Sequence, residues 1–178
     1  VALSIPGVIF KRNEEVAQLN RSMEIKKQAE EATGKANELH EKANKLYESG
    51  DKAGNKDTMA ESKKYREIAK QKHQESFDLQ YQVAMSMCWK AVYSEKPEID
   101  YHIFHLNTFE KSWPEVVKMV SQNKFKSPTF LVIPGAGSHT VGKNSGIGII
   151  KPALLEWFSK NNIKYTEETH GSYLMTFK

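Results

Sequence analysis

Two short segments of the chain combine residue types that do acid–base chemistry. Asp100 and His102 close one short apolar run, and Gly135 and His139 belong to a loop that follows another, Thr129–Ile133. Each run predicts a buried strand, and open α/β sheets bind ligands at the carboxyl ends of their strands. We therefore expect a functional site where these two segments end.

Asp100 and His102 are two residues apart, so both side chains are expected on one face of a strand. A carboxylate beside an imidazole fixes its tautomer and raises its basicity, as in catalytic triads. A structural interpretation stays open, in which Asp100 caps the strand end beside an incidental histidine.

The loop at residues 134–140 predicts an anion site, because its glycines let the backbone turn sharply and direct amides at an anion. The N-terminus of the following helix adds the positive end of a dipole. A flexible surface connection is the alternative. The residues expected to contact RNA or phosphate are Gly135, Gly137, Ser138, Thr140, Lys143 and Lys151.

The residue inventory favours cleavage of an RNA phosphodiester. The segment 137–144 resembles a nucleotide-binding loop but has Asn144 where Mg²⁺ requires Ser or Thr, and the chain lacks an H-E-x-x-H pair. RNA supplies its own nucleophile, the 2′-hydroxyl, so cleavage needs a base, an acid and donors to the phosphate. We assign the acid–base roles to His102 and His139, with Asp100 orienting His102 and with no metal or other cofactor.

The chain divides near residue 92. Residues 11–90 contain no proline and predict an antiparallel helical hairpin, and residues 96–178 predict a small two-layer α/β domain of order β-α-β-α-β-β with its first two strands parallel. The stripe on the first helix is rich in alanine, which predicts close approach of the second helix. Its members are Ile25, Ala29, Ala32, Ala36, Leu39, Ala43 and Leu46.

Two helix starts are predicted from capping signals. Thr58 and Glu61 form a capping box for the second helix. The first helix of the α/β domain has two possible starts, an early one at Asn107 and a late one at Ser112 with Pro114 in its first turn.

Composition bounds the class of partner. The formal net charge is +4, the pI is near 9.0 and the mean hydropathy is −0.63, which favours a polyanionic partner and no membrane. Cys88 is the single cysteine, which favours a reducing, cytoplasmic compartment and a buried structural thiol. The chain does not begin with methionine, and we expect it to be part of a longer multidomain protein.

The C-terminal segment resembles the Smr (small MutS-related) domain. Residues 100–103 are similar to its D-L-H-G motif, and residues 134–140 are similar to its T-G-x-G-x-H-S motif. The helical region resembles the extension that precedes Smr domains in eukaryotic proteins. The resemblance implies a fold like the C-terminal domain of bacterial initiation factor three, and endonuclease cleavage of mRNA at stalled ribosomes in no-go decay, a branch of ribosome quality control.

The chain departs from the family motifs: Tyr101 replaces a leucine, Ile103 replaces a glycine, and Ala136 and Ser138 lie where a basic residue or asparagine is common. These differences keep a second hypothesis open, a non-catalytic RNA- or ribosome-binding module.

Overall fold

A computed structural model of the chain describes residues 10–94, 96–122, 129–135, 150–169 and 171–176. Within them the protein is mixed α/β, with a long helical region followed by a mixed sheet. The elements are α1 (Arg12–Glu48), α2 (Lys52–Val92), β1 (Glu98–Asp100), α3 (Leu106–Gln122), β2 (Thr129–Ile133), α4 (Ile150–Lys160), β3 (Lys164–Thr169) and β4 (Ser172–Thr176). The chain divides into two compact units, residues 12–80 and residues 1–11 with 81–178.

In the first unit, hydrogen bonds between side chains of α2 and the backbone of α1 define an antiparallel hairpin. Asn55 donates to the carbonyl of Ala43, Ser62 to that of Ala36 and Ser76 to that of Ser22, at 2.7–2.8 Å. The two residue numbers of each pair add to the same value, as antiparallel pairing requires.

Small side chains permit this close packing. Ala29, Ala36 and Ala43 recur every seven residues on α1 and are fully buried, as the sequence predicts. A small residue at these positions lets the α2 hydroxyl and amide groups reach the α1 carbonyls directly. On α2, by contrast, the apolar side chain of Ile68 is 43% exposed.

The turn between the two helices is defined by Gly50 and Asp51. Gly50, two residues after the end of α1, has a φ of +87°, and the amide of Asp51 donates to the carbonyl of Leu46 at 2.9 Å. The Asp51 carboxylate accepts from the amide of Gly54 at 2.9 Å and so caps α2. The capping box predicted at Thr58 is therefore wrong, because α2 begins at Lys52 with an aspartate as its cap.

In the second unit, the sheet has the order β1-β2-β4-β3. β1 and β2 are parallel, as predicted, and β4 is antiparallel to both β2 and β3. The element order after β1 is the predicted one. α3 begins early, at Leu106, with Pro114 inside the helix, which decides between the two predicted starts.

Aromatic side chains fix α3 and α4 to one face of the sheet. Tyr101 lies edge-on to Phe109 and Trp113 of α3, and Tyr173 of β4 contacts Phe158 of α4. The two helices also meet through Trp113 and Trp157, whose ring centroids are 5.3 Å apart. The buried strand residues of this layer are Ile99, Phe130, Val132 and Met175.

No helix in the part of the chain that the structure describes is long and apolar enough to span a membrane.

Candidate functional site

Asp100 and His102 form a hydrogen-bonded pair at the end of β1. The distance from His102 Nδ1 to Asp100 Oδ1 is 2.6 Å, and the two side chains are 36% and 33% exposed. With the Nδ1 proton directed at the carboxylate, Nε2 is the basic nitrogen of the neutral ring. The predicted pairing is thus confirmed.

The pairing arises from a turn, and the predicted strand geometry is wrong at His102. β1 ends at Asp100, and the same Asp100 oxygen also accepts the backbone amide of His102 at 2.9 Å. An aspartate that accepts the amide two residues on forms an Asx-turn. One carboxylate oxygen therefore holds both the backbone and the ring of His102.

Between these two residues lies Tyr101, which anchors the end of β1 in the core. Its side chain is fully buried, and its hydroxyl is 2.8 Å from Ser112 Oγ, which in turn donates to the carbonyl of Thr108 at 2.7 Å. Its backbone amide donates to the carbonyl of Ile133 at 2.7 Å. Burial raises the pKa of the Tyr101 hydroxyl, because ionisation would leave a charge in the core.

Gly135 is the first loop residue after β2, and it lies directly against His102. Its φ is +93°, and a Cβ atom built there would lie 3.0 Å from His102 Cβ and 3.2 Å from His102 Cα. Its amide donates to the carbonyl of Gly171 in the turn between β3 and β4, at 3.4 Å. The positive φ favours glycine here, and a Cβ atom would in addition be tightly packed against His102.

The structure thus brings the beginning of the predicted anion loop to the Asp100–His102 pair, at one edge of the sheet. The rest of that loop, residues 136–149, lies outside the described residues. Its predicted site residues Gly137, Ser138, His139, Thr140 and Lys143 therefore stay predictions, as does the meeting of His102 with His139.

Lys151 is described, in the first turn of α4. Its Nζ lies 5.9 Å from the centroid of the Tyr173 ring. A cation over an aromatic face is held by the ring quadrupole. This contact places the Lys151 side chain beside β4. Its role in phosphate binding stays a prediction.

Tyr101, Ser112 and Gly171 support the site, and none of them is among the site residues predicted from the sequence. Alternation along β1 does carry a signal for Tyr101, because a residue flanked by two residues of one face belongs to the other face. Ser112 and Gly171 come to the site through tertiary packing, and no local pattern identifies them.

Cys88 is buried, as predicted for a structural thiol, and its Sγ lies 3.9 Å from Sδ of Met119. Burial, with a smaller effect of the Glu115 carboxylate, raises the pKa of this thiol from 9.0 to about 12. A thiol with so raised a pKa is a poor nucleophile near neutral pH, so catalysis through Cys88 is not part of the proposed chemistry.

This pKa gives a prediction for chemical labelling. At pH 8 the raised pKa lowers the thiolate fraction roughly a thousandfold, so iodoacetamide should modify native Cys88 at least that much more slowly than the unfolded chain. Equal labelling rates in native and urea-unfolded protein at pH 8 would contradict the assignment.

The same pKa makes the stability of the fold depend on pH. The stability gained from keeping the thiol protonated is present below pH 9 and is lost as the pH rises toward 12.

Comparison of the chain with protein-family models, with curated proteins and with solved structures finds no match.

Proposed function

We propose that this chain is an RNA endonuclease that uses the Asp100–His102 pair in acid–base catalysis on the RNA 2′-hydroxyl. The observation that carries the proposal is the 2.6 Å contact between His102 Nδ1 and Asp100 Oδ1 beside Gly135. Such a carboxylate fixes the ring orientation and stabilises the imidazolium that forms when Nε2 takes a proton. No metal ion or other cofactor is part of the proposal.

In this mechanism, His102 and His139 divide the two proton transfers. One takes the proton of the 2′-hydroxyl as its oxygen attacks the adjacent phosphorus, and the other gives a proton to the departing 5′-oxygen. The products are a 2′,3′-cyclic phosphate and a 5′-hydroxyl. Backbone amides of the loop that begins at Gly135, with Lys143 and Lys151, stabilise the additional negative charge on the phosphoryl oxygens.

The distribution of charge supports a polyanionic substrate for the α/β unit. Residues 12–80 contain 14 basic and 14 acidic residues, whereas residues 1–11 and 81–178 contain 12 basic and 8 acidic ones. The entire net charge of +4 therefore belongs to the unit that carries Asp100 and His102. Positive charge raises the local concentration of a polyanion and its rate of association.

The Smr resemblance narrows the substrate to mRNA at stalled ribosomes, in the cytoplasm, with a fold like the C-terminal domain of initiation factor three. It also fits the order of a helical extension followed by the α/β domain. The substrate, the compartment and the likeness to initiation factor three are therefore proposed together with the endonuclease activity.

Incubation of the full chain with end-labelled single-stranded RNA in EDTA tests the proposal. We expect cleavage to continue in the chelator, because the proposed chemistry uses side chains and backbone amides of the chain and no metal ion. Salt-sensitive binding with no cleavage would instead favour the non-catalytic RNA- or ribosome-binding module. Of the departures from the motif on which that alternative is based, Ile103 lies at the described turn and is 37% exposed.

A further inference from the structure

The helical hairpin carries a row of basic side chains on α2 that the proposed chemistry does not use. Spacings of four and three residues alternate along it, so its members follow one line on the helix surface. All members are exposed, and all but one are cationic or histidine. They are Lys52, Lys56, Met59, Lys63, Arg66, Lys70 and His73, here named the basic row.

The charges of the hairpin sum to zero, but basic residues outnumber acidic ones along this part of α2. Between Lys52 and His73 the acidic residues of α2 are Asp57, Glu61 and Glu67, and none belongs to the basic row. Helical spacing places Asp57 and Glu61 away from the row and Glu67 beside Lys63 and Lys70, so every charged member of the row is basic and Glu67 is its nearest acidic neighbour on α2. A surface of this kind creates a local positive potential that the net charge of the unit conceals.

Few carboxylates lie close enough to neutralise the cations of the basic row. Among the residues that the structure describes, no carboxylate lies within 4.0 Å of the Nζ atoms of Lys52, Lys56, Lys63 or Lys70. Arg66 donates to the Asn37 side chain of α1 at 3.3 Å, a neutral partner that keeps its charge available. Basic residues outside the row do form ion pairs with carboxylates: Arg21 lies 3.9 Å from Glu75, and Lys45 lies 3.4 Å from Glu41.

We propose that the basic row binds the phosphate backbone of an RNA double helix. The row spans 21 residue steps of a helix braced by α1, which is about 31 Å at 1.5 Å per residue. A straight, rigid line of cations fits the regular phosphates of a duplex, which proteins recognise by shape and backbone contacts. The choice of RNA rests on the proposed function, and the row is a second RNA contact apart from Asp100 and His102.

The test compares two triple variants of the full chain. Lys56→Gln, Lys63→Gln and Lys70→Gln together neutralise the row, and Lys42→Gln, Lys45→Gln and Lys64→Gln remove the same charge elsewhere on the hairpin. Both sets replace exposed helical lysines with glutamine, whose helix propensity is similar. Circular dichroism should therefore be unchanged in both.

Binding is measured by fluorescence anisotropy with a labelled RNA hairpin that has a long duplex stem, across a salt titration. The His102→Ala background is used for all proteins so that cleavage cannot consume the RNA. We expect the row variant to lower the slope of log affinity against log salt by about 2.7, since each phosphate contact contributes about 0.9. Its affinity at low salt should fall about tenfold or more, and the control should stay within about twofold.

Equal losses in the two triple variants would mean that only bulk charge matters and would overturn the proposal, as would no loss in either. Displacement of the RNA by polyglutamate of equal charge, as effectively as by unlabelled RNA, would overturn the assignment to nucleic acid. Cleavage of short single-stranded RNA by the row variant with His102 intact tests the proposed function separately. If the salt slope changes as expected but no cleavage is seen, the proposed endonuclease activity is rejected and RNA binding by the basic row is supported.

Discussion

Replacing His102 with alanine is expected to lower the rate of RNA cleavage by about 10²- to 10⁴-fold, the usual contribution of a general acid or base. The side chain is 36% exposed, and the turn is held by the His102 backbone amide and by the His102 Cβ beside Gly135, both of which alanine keeps. We expect the free energy of unfolding to change by less than about 0.5 kcal/mol. Rates come from single-turnover cleavage of labelled RNA, and stability from urea denaturation.

Two further variants separate catalysis from folding. Asp100→Asn keeps an oxygen that can accept the His102 amide but removes the charge that fixes the ring tautomer, so we expect a rate loss with the turn intact. His40→Ala removes an exposed histidine of α1 and should leave the rate unchanged. Undiminished cleavage in both His102→Ala and Asp100→Asn would reject the assignment of this pair.

Gly135→Ala is expected to destabilise the α/β unit by about 2–4 kcal/mol. A φ of +93° costs a non-glycine residue about 1–2 kcal/mol, and the new Cβ would lie 3.0 Å from His102 Cβ. Relief of that contact moves His102 relative to the substrate, so cleavage should fall about tenfold or more. Tryptophan fluorescence during urea denaturation reports this unit, because Trp89, Trp113 and Trp157 all belong to it.

Two glycines of the hairpin serve as controls for the two effects at Gly135. Gly50 has a φ of +87° but open space around a built Cβ, so Gly50→Ala should show conformational strain alone, about 1–2 kcal/mol. Gly34 lies within α1 with open space, so Gly34→Ala should stabilise the hairpin by about 1 kcal/mol. Circular dichroism follows these two variants, and both should cleave RNA normally. If Gly135→Ala loses no more stability than Gly50→Ala and cleaves RNA as well, the contact between residue 135 and His102 is unimportant.

Much of the fold follows from hydrophobic periodicity. The alanine stripe of α1 and the run Thr129–Ile133 are predicted correctly, because burial on one side imposes a helical or strand period on the sequence. The pairing of Asp100 with His102 was also predictable, since residues so close in sequence meet in either a strand or a turn. Whether a strand or a turn joins them could not be predicted, because the turn depends on a single hydrogen bond from the His102 amide to the Asp100 carboxylate.

The failures lie where tertiary contacts or local capping compete with pattern. Thr58 and Glu61 match a capping box, but Asp51 caps the helix earlier and the pattern falls inside α2. The contact between Gly135 and His102 joins residues far apart in sequence and depends on parallel pairing of β1 with β2. Motif spacing places both segments at one sheet edge but cannot specify which atoms touch.

The chemistry of the Asp100–His102 pair is tested most directly with one RNA that carries a single 2′-deoxynucleotide at the position of cleavage. We predict that this substitution abolishes cleavage at that position and that the unmodified RNA yields 2′,3′-cyclic phosphate and 5′-hydroxyl ends. Continued cleavage at the deoxynucleotide, with 5′-phosphate ends, would contradict 2′-hydroxyl attack and with it the proposed mechanism.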